Sequence, residues 1–159
     1  MIVIADTAPV NYLILIEAIE LLPKLYGQIV IPESVLSELN AGRSPAPVKL
    51  WVRNKPGWLR VEKAEPESLK ETAAFLDAGE REAIALARTL HADLLILDER
   101  AGRREAKRLN LPVTGTLGVL RTASERGLIQ IDAAIERLRK TSFYVPPDVI
   151  ENLLKGRKP

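Results

Sequence analysis

The chain has 159 residues, 47% of them hydrophobic, with no cysteine, one histidine and a formal net charge of +2. That length supports one hydrophobic core rather than two. The absence of cysteine excludes disulfides, thiolate zinc sites and a cysteine nucleophile, and the lone His91 excludes any site needing two imidazoles, so a metal here must sit on oxygen ligands.

The chain opens on MIVIADTAPV. Ile2 to Ala5 reads as a strand without polar alternation, the pattern of a central parallel strand covered on both faces, and Asp6 ends it. Asp6 suits two roles: N-cap of a helix over Pro9 to Ile16, or a ligand group at the carboxyl end of a strand, where open α/β sheets bind. A second helix covers Ile19 to Tyr26. The run Val10 to Leu22 carries Glu17 and Glu20 and cannot span a bilayer, and no basic segment precedes the apolar N-terminus. A cytoplasmic protein with no membrane partner is therefore expected.

A strand over Gln28 to Ile31 leads into a helix over Pro32 to Leu39, whose apolar stripe is Val35, Leu36 and Leu39. Glu38 lies about 60° from Val35, at the border of the stripe, and Glu33 points nearly the opposite way. The helix Ala46 to Asn54, the strand Leu59 to Glu62 and the helix Pro66 to Phe75 follow, with the Gly- and Pro-rich stretches NAGRSPAPV and RNKPGW as loops within the domain. In the helix Gly79 to Leu90, Ala83, Ile84, Leu86, Ala87 and Leu90 make the stripe. Glu80 projects among them, and Glu82 falls on the far side. Asp77 suits the cap of this helix and His91 a packing or capping role at its end.

Leu94 to Leu97 is the second strand without polar alternation, and it too ends in acid, at Asp98 and Glu99. The helix Arg100 to Leu109 gathers Arg100, Arg103, Arg104, Lys107 and Arg108 on one face. A strand over Pro112 to Thr114 and helices over Thr116 to Arg126, Asp132 to Arg139 and Pro147 to Lys155 complete the chain. This alternation predicts an α/β fold of three layers, α/β/α, around a central, mostly parallel sheet of about five strands. It is read as a single domain, 1–159, with a helical tail from about 141. The apolar side chains of that tail, Phe143, Tyr144, Val145, Ile150 and Leu154, form either a lid on the core or part of a dimer surface.

Four carboxylates thus face inward: Asp6 and Asp98 at strand ends, Glu38 and Glu80 at the inner edges of helices. Packed like charges are unfavourable unless something neutralises them, and a hard divalent cation, Mg²⁺ or Mn²⁺, does so while polarising phosphoryl oxygens and activating water. The basic stripe of Arg100, Arg103, Arg104, Lys107 and Arg108 beside such a site is what a polyanion needs for its phosphates.

The strand ending in Asp6 with Thr7 after it, the helical Glu38 in SVLSEL, the GEREAIALA helix and LILDER, with Asp98 eighteen residues beyond Glu80, together resemble a PIN domain of the VapC-like prokaryotic branch. LPVTGTLGVLRTASERGLI resembles the ending of one of its less characterised subgroups. The resemblance implies a metal-dependent endoribonuclease with Asp6, Glu38, Glu80 and Asp98 as the catalytic, Mg²⁺- or Mn²⁺-binding quartet and Glu99 as an outer ligand. Thr7 matches a hydroxyl beside the first acid, and Thr116 offers another near the sheet edge. The implied partners are RNA, an antitoxin protein of a toxin–antitoxin pair and a second copy in a homodimer. Two positions depart from the pattern: Ile96 stands where many relatives carry Ser or Thr, and Glu80 where Asp is common. The reading from a different class is a PIN fold kept as an RNA-binding or assembly module with little catalysis. The four inward acids, which have no common structural use, favour the enzyme.

Overall fold

The two uninterrupted apolar runs take the middle of the sheet, where both faces are covered. In the computed structural model, which describes residues 1–155, β1 (Val3–Ala5) lies between β2 (Ile29–Pro32) and β4 (Leu94–Ile96). With β3 (Leu59–Glu62) and β5 (Val113–Thr114) outside them, the order is β3-β2-β1-β4-β5 and every pairing is parallel. The expected α/β/α architecture and five-stranded sheet are borne out. Alternate side chains enter opposite cores. Val3, Ala5, Ile29, Ile31 and Ile96 join one cluster with α1 (Thr7–Leu15), α2 (Leu21–Tyr26), α8 (Thr116–Glu125) and α9 (Ile131–Arg139). Ile4, Val30, Leu95 and Leu97 join the other, against α6 (Ala78–Thr89) and α7 (Arg100–Arg108). Between β2 and α6 in sequence come α3 (Glu33–Leu39), α4 (Ala46–Arg53) and α5 (Pro66–Leu69).

The chain winds leftward from β1 to β2 and β3, then returns to β4 on the other side of β1. The strand order therefore reverses between β1 and β4, and the crevice beyond their carboxyl ends is where such sheets bind ligands. Ala5 is in register with Ile96, and the Asp6 N–H donates to Ile96 O at 2.9 Å, so Asp6 and Asp98 emerge side by side there.

Two expectations need correction. The helix expected over Pro66 to Phe75 stops at Leu69. In a continued helix Leu69 O would accept the Ala73 N–H; instead it accepts Arg81 Nη2 at 2.8 Å and Thr72 Oγ1 at 2.8 Å, and the Ala73 N–H donates to Glu105 Oε2 at 2.8 Å. The second concerns Glu82, which phase put on the far side of its helix. It does turn from the acidic crevice but is buried, because α6 is enclosed on that side as well. Its Oε1 accepts from Ser34 N at 2.9 Å and Ser34 Oγ at 2.6 Å, and its Oε2 from Ala64 N at 3.0 Å. Pro32, at the N-cap of α3, has no side-chain oxygen to offer, and Glu82 caps that helix in its place.

The tail packs on the core. Phe143 meets Tyr12 edge-on at 5.0 Å, and Val145 and Leu153 of α10 (Pro147–Leu154) and its approach are buried, whereas Tyr144 and Leu154 are exposed. Residues 156–159 of the expected domain lie outside the described residues. Among the described residues no helix is long and apolar enough to cross a membrane.

Candidate active site

Asp6 occupies the N-cap position of α1, yet its side chain makes no capping hydrogen bond. Its carboxylate is buried, and Oδ1 has no hydrogen-bond partner. Burial, reinforced by the charges of Asp77, Glu80 and Glu38 and partly offset by the Thr7 backbone, pushes its pKa up to about 8. The helical acid Glu38 approaches from α3, held by Thr7 Oγ1, which donates to its Oε2. A Cβ at Gly79 would stand 2.7 Å from Glu38 Oε1 and 3.2 Å from Asp6 Oδ1, so both oxygens face one small space beside the start of α6.

Glu80 follows directly. Asp77 and Glu80 form a reciprocal capping box: the Glu80 N–H donates to Asp77 Oδ1 at 2.8 Å and the Asp77 N–H to Glu80 Oε2 at 3.4 Å. Burial first, then the charges of Asp77, Glu99 and Glu38, pushes Glu80 up to about 7. Asp6, Glu38 and Glu80 are thus near enough for their charges to act on one another, and the charge of Glu99 reaches Glu80 and that of Asp77 both Asp6 and Glu80. Sequence reading assigned Asp77 a cap alone; the Asp-x-x-Glu spacing shows the cap but not the neighbour across the sheet.

Asp98 stands on the other side of the crevice. Its Oδ1 accepts the Thr116 N–H at 2.7 Å and its Oδ2 the Thr116 hydroxyl at 2.6 Å. Burial raises its pKa, while the two Thr116 bonds and the Arg103 charge pull it down. Thr116, fully buried at the start of α8, thus supplies the hydroxyl support that Ile96, buried in β4, does not. Asp98 faces Arg103 rather than the Asp6 group.

Beside Asp98 lies a cleft of about 400 Å³ lined by Arg100, Arg103, Arg104 and Lys107. Among the described residues these four make no side-chain hydrogen bond or ion pair. Arg108, the fifth of the expected stripe, is instead held by Glu105, through Nη2 to Oε2 at 3.1 Å and a short contact from Nε to Oε1. Glu33 is exposed, and exposed His91 precedes β4, at the end of the strand opposite Asp98.

A divalent oxygen-loving cation suits this donor set: an orphaned buried carboxylate oxygen and a second acid converge against Gly79, where a side chain would separate them. Among the described residues no three His, Asp or Glu side chains are grouped so that they could hold a metal ion between them. Mg²⁺ asks for no such group, since it keeps several waters and takes one or two carboxylates.

Residues 2–158 match the model of a family described as a PIN domain. No curated protein and no solved structure matches the chain.

Proposed function

The chain belongs to the PIN-domain family, and from that premise we propose that it is a metal-dependent endoribonuclease working at the β1/β4 crevice. PIN domains are generally nucleases and typically use divalent metals. The observation that carries the reading is the juxtaposition at one sheet edge of an unbonded buried Asp6 oxygen facing Glu38 with a cleft of four unpaired cations.

Asp6 and Glu38 would hold Mg²⁺ or Mn²⁺ directly and Glu80 through the ion's waters, with Glu99 outside them and Asp98 closing the crevice from the substrate side. Such an ion supplies Lewis-acid polarisation of a phosphodiester and acidifies water. The chain's own residues hold the acids in place: Thr7 orients Glu38, the Asp77 box orients Glu80, and Thr116 fixes Asp98. Arg100, Arg104 and Lys107 bind the phosphates of the polyanion, and Arg103 stands beside Asp98. No side chain is equipped as a nucleophile, since there is no cysteine, His91 lies at the far end of the sheet, and the Thr7 hydroxyl donates to Glu38 without an imidazole to activate it. Water then attacks phosphorus, the P–O3′ bond breaks and the departing 3′ oxygen takes up a proton, leaving 5′-phosphate and 3′-hydroxyl ends. The toxin role, with an antitoxin partner and a homodimeric state, is supported by the motif resemblance.

The test is cleavage of single-stranded RNA in Mg²⁺, Mn²⁺ or EDTA by the wild type and an Asp6→Asn variant. Metal-dependent cleavage lost in the variant is expected. RNA bound but uncut under every condition would contradict the proposal and point to the binding-module alternative.

A further inference from the structure

Gly115 sits between β5 and α8 at φ −121° and ψ −172°, extended backbone that any residue adopts, so its conformation does not call for glycine. Space does. A Cβ there would stand 2.7 Å from Asp98 Oδ1, 2.8 Å from Arg103 Nη1 and 3.5 Å from the Leu97 carbonyl oxygen. A carboxylate and a guanidinium thus both lie against Gly115, too far apart to close into an ion pair yet near enough for one small group to bridge them, although such a pair is normally favoured. Thr116 already occupies one lone-pair direction on each Asp98 oxygen, which leaves Oδ1 able to accept once more. Arg103 stands where the cleft of Arg100, Arg104 and Lys107 meets a second cleft along Thr114 and Gly118.

The opening offers two acceptors and one donor. A phosphate oxygen has no proton and would be repelled by Asp98 Oδ1 and Leu97 O. An ammonium group could not accept from Arg103. A hydroxyl does both, donating to Asp98 and accepting from the guanidinium. We propose that the Gly115 cradle receives a ribose 2′-hydroxyl and makes this site select RNA over DNA. The proposal rests on the nuclease reading for the identity of the polymer, and the hydroxyl is bound here rather than used as nucleophile. The 2′-hydroxyl is the group by which a protein tells the two polymers apart.

The test measures the affinity of the full chain, in EDTA, for single-stranded hexanucleotides of one sequence made as RNA, DNA and 2′-O-methyl RNA. Wild type should bind RNA about 10- to 100-fold more tightly than either of the others, the range expected for losing hydrogen bonds to charged groups. Gly115→Ala pushes Asp98 Oδ1 and Arg103 Nη1 out of place, and Arg103→Met removes the donor. Both should bring the three affinities within about twofold of one another, whatever loss they share, since the hydroxyl's hydrogen bonds to charged groups are removed. Equal affinities in wild type, or a preference that survives in both variants, would overturn the proposal. So would an equal loss for all three polymers in Arg103→Met with a shallower salt dependence, which would put Arg103 on a phosphate, and so would no binding of RNA. Because affinity is read without metal, a wild type that selects RNA but never cuts it would uphold this proposal and defeat the nuclease reading, and the converse result would do the opposite.

Discussion

Binding of a divalent cation beside Gly79 should expel protons, because Asp6, and Glu80 near it, are partly protonated in the metal-free protein. Asp6 is pushed up to about 8 and Glu80 to about 7, each chiefly by burial and then by the surrounding carboxylates. At pH 7 a group with the first value holds roughly 0.9 of a proton and one with the second roughly 0.5, so an ion that requires both ionised should release about 1.4 protons. Affinity should accordingly tighten on the order of 10²-fold or more between about pH 6 and pH 8, the two acids titrating as a coupled set. Calorimetric titration of Mn²⁺ in two buffers of different ionisation enthalpy counts the protons from the difference in observed heat. Asp6→Asn should weaken binding and lower the count by about 0.9, the share of the group with the highest pKa. An affinity flat across that range, with equal heats in both buffers, would refute the reasoning, since the ion would then sit where no raised carboxylate faces it.

The same shift bears on stability without metal. The folded pKa of Asp6 lies above its ordinary 3.8, so its contribution is intact below about pH 4, declines as pH rises and is fully lost above about pH 8. Thermal melts in EDTA should show Asp6→Asn stabilised at pH 7 by an amount on the order of a few kcal/mol that disappears near pH 4. Glu82→Ala strips both the α3 cap and the Ala64 bond and should lower unfolding free energy in urea by about 2–4 kcal/mol; a loss below the scatter of such measurements would mean water replaces the carboxylate. Replacing Arg104 and Lys107 together by alanine should weaken RNA binding and reduce the slope of log affinity against log salt by about 1.4, the value for two phosphate contacts on a single strand. An unchanged slope would assign these cations to solvent alone.

Much of the site was legible because it is written in local signals. Asp6 and Asp98 follow runs with no polar alternation, and such runs belong in the middle of a parallel sheet, so the sequence alone puts both acids at its carboxyl edge. Helical phase likewise brought Glu80 inward and left Glu33 in solvent. Phase misled at Glu82 because it assumes one buried face, whereas α6 is packed on the sheet and also against α3 and the segment after β3. The length of α5 depended on Arg81, Thr72 and Glu105 competing for its backbone, two of them more than ten residues away. Thr116 and Gly115 acquire their meaning only because β5 pairs with β4 and sets the start of α8 against Asp98. Arg108 looked like its four neighbours on the stripe, and only the buried position of Glu105 separates it from them.

The most direct measurement is the chemistry of the ends left on a cut RNA. Mass spectrometry of oligonucleotide products from a Mn²⁺ reaction should find 5′-phosphate and 3′-hydroxyl termini, with no product in EDTA or from the Asp6→Asn variant, as metal-dependent attack by water with departure of the 3′ oxygen would give. Products ending in 2′,3′-cyclic phosphate, or cleavage that persists in EDTA, would contradict it, because the strand's own 2′-hydroxyl or a metal-free route would then be performing the reaction.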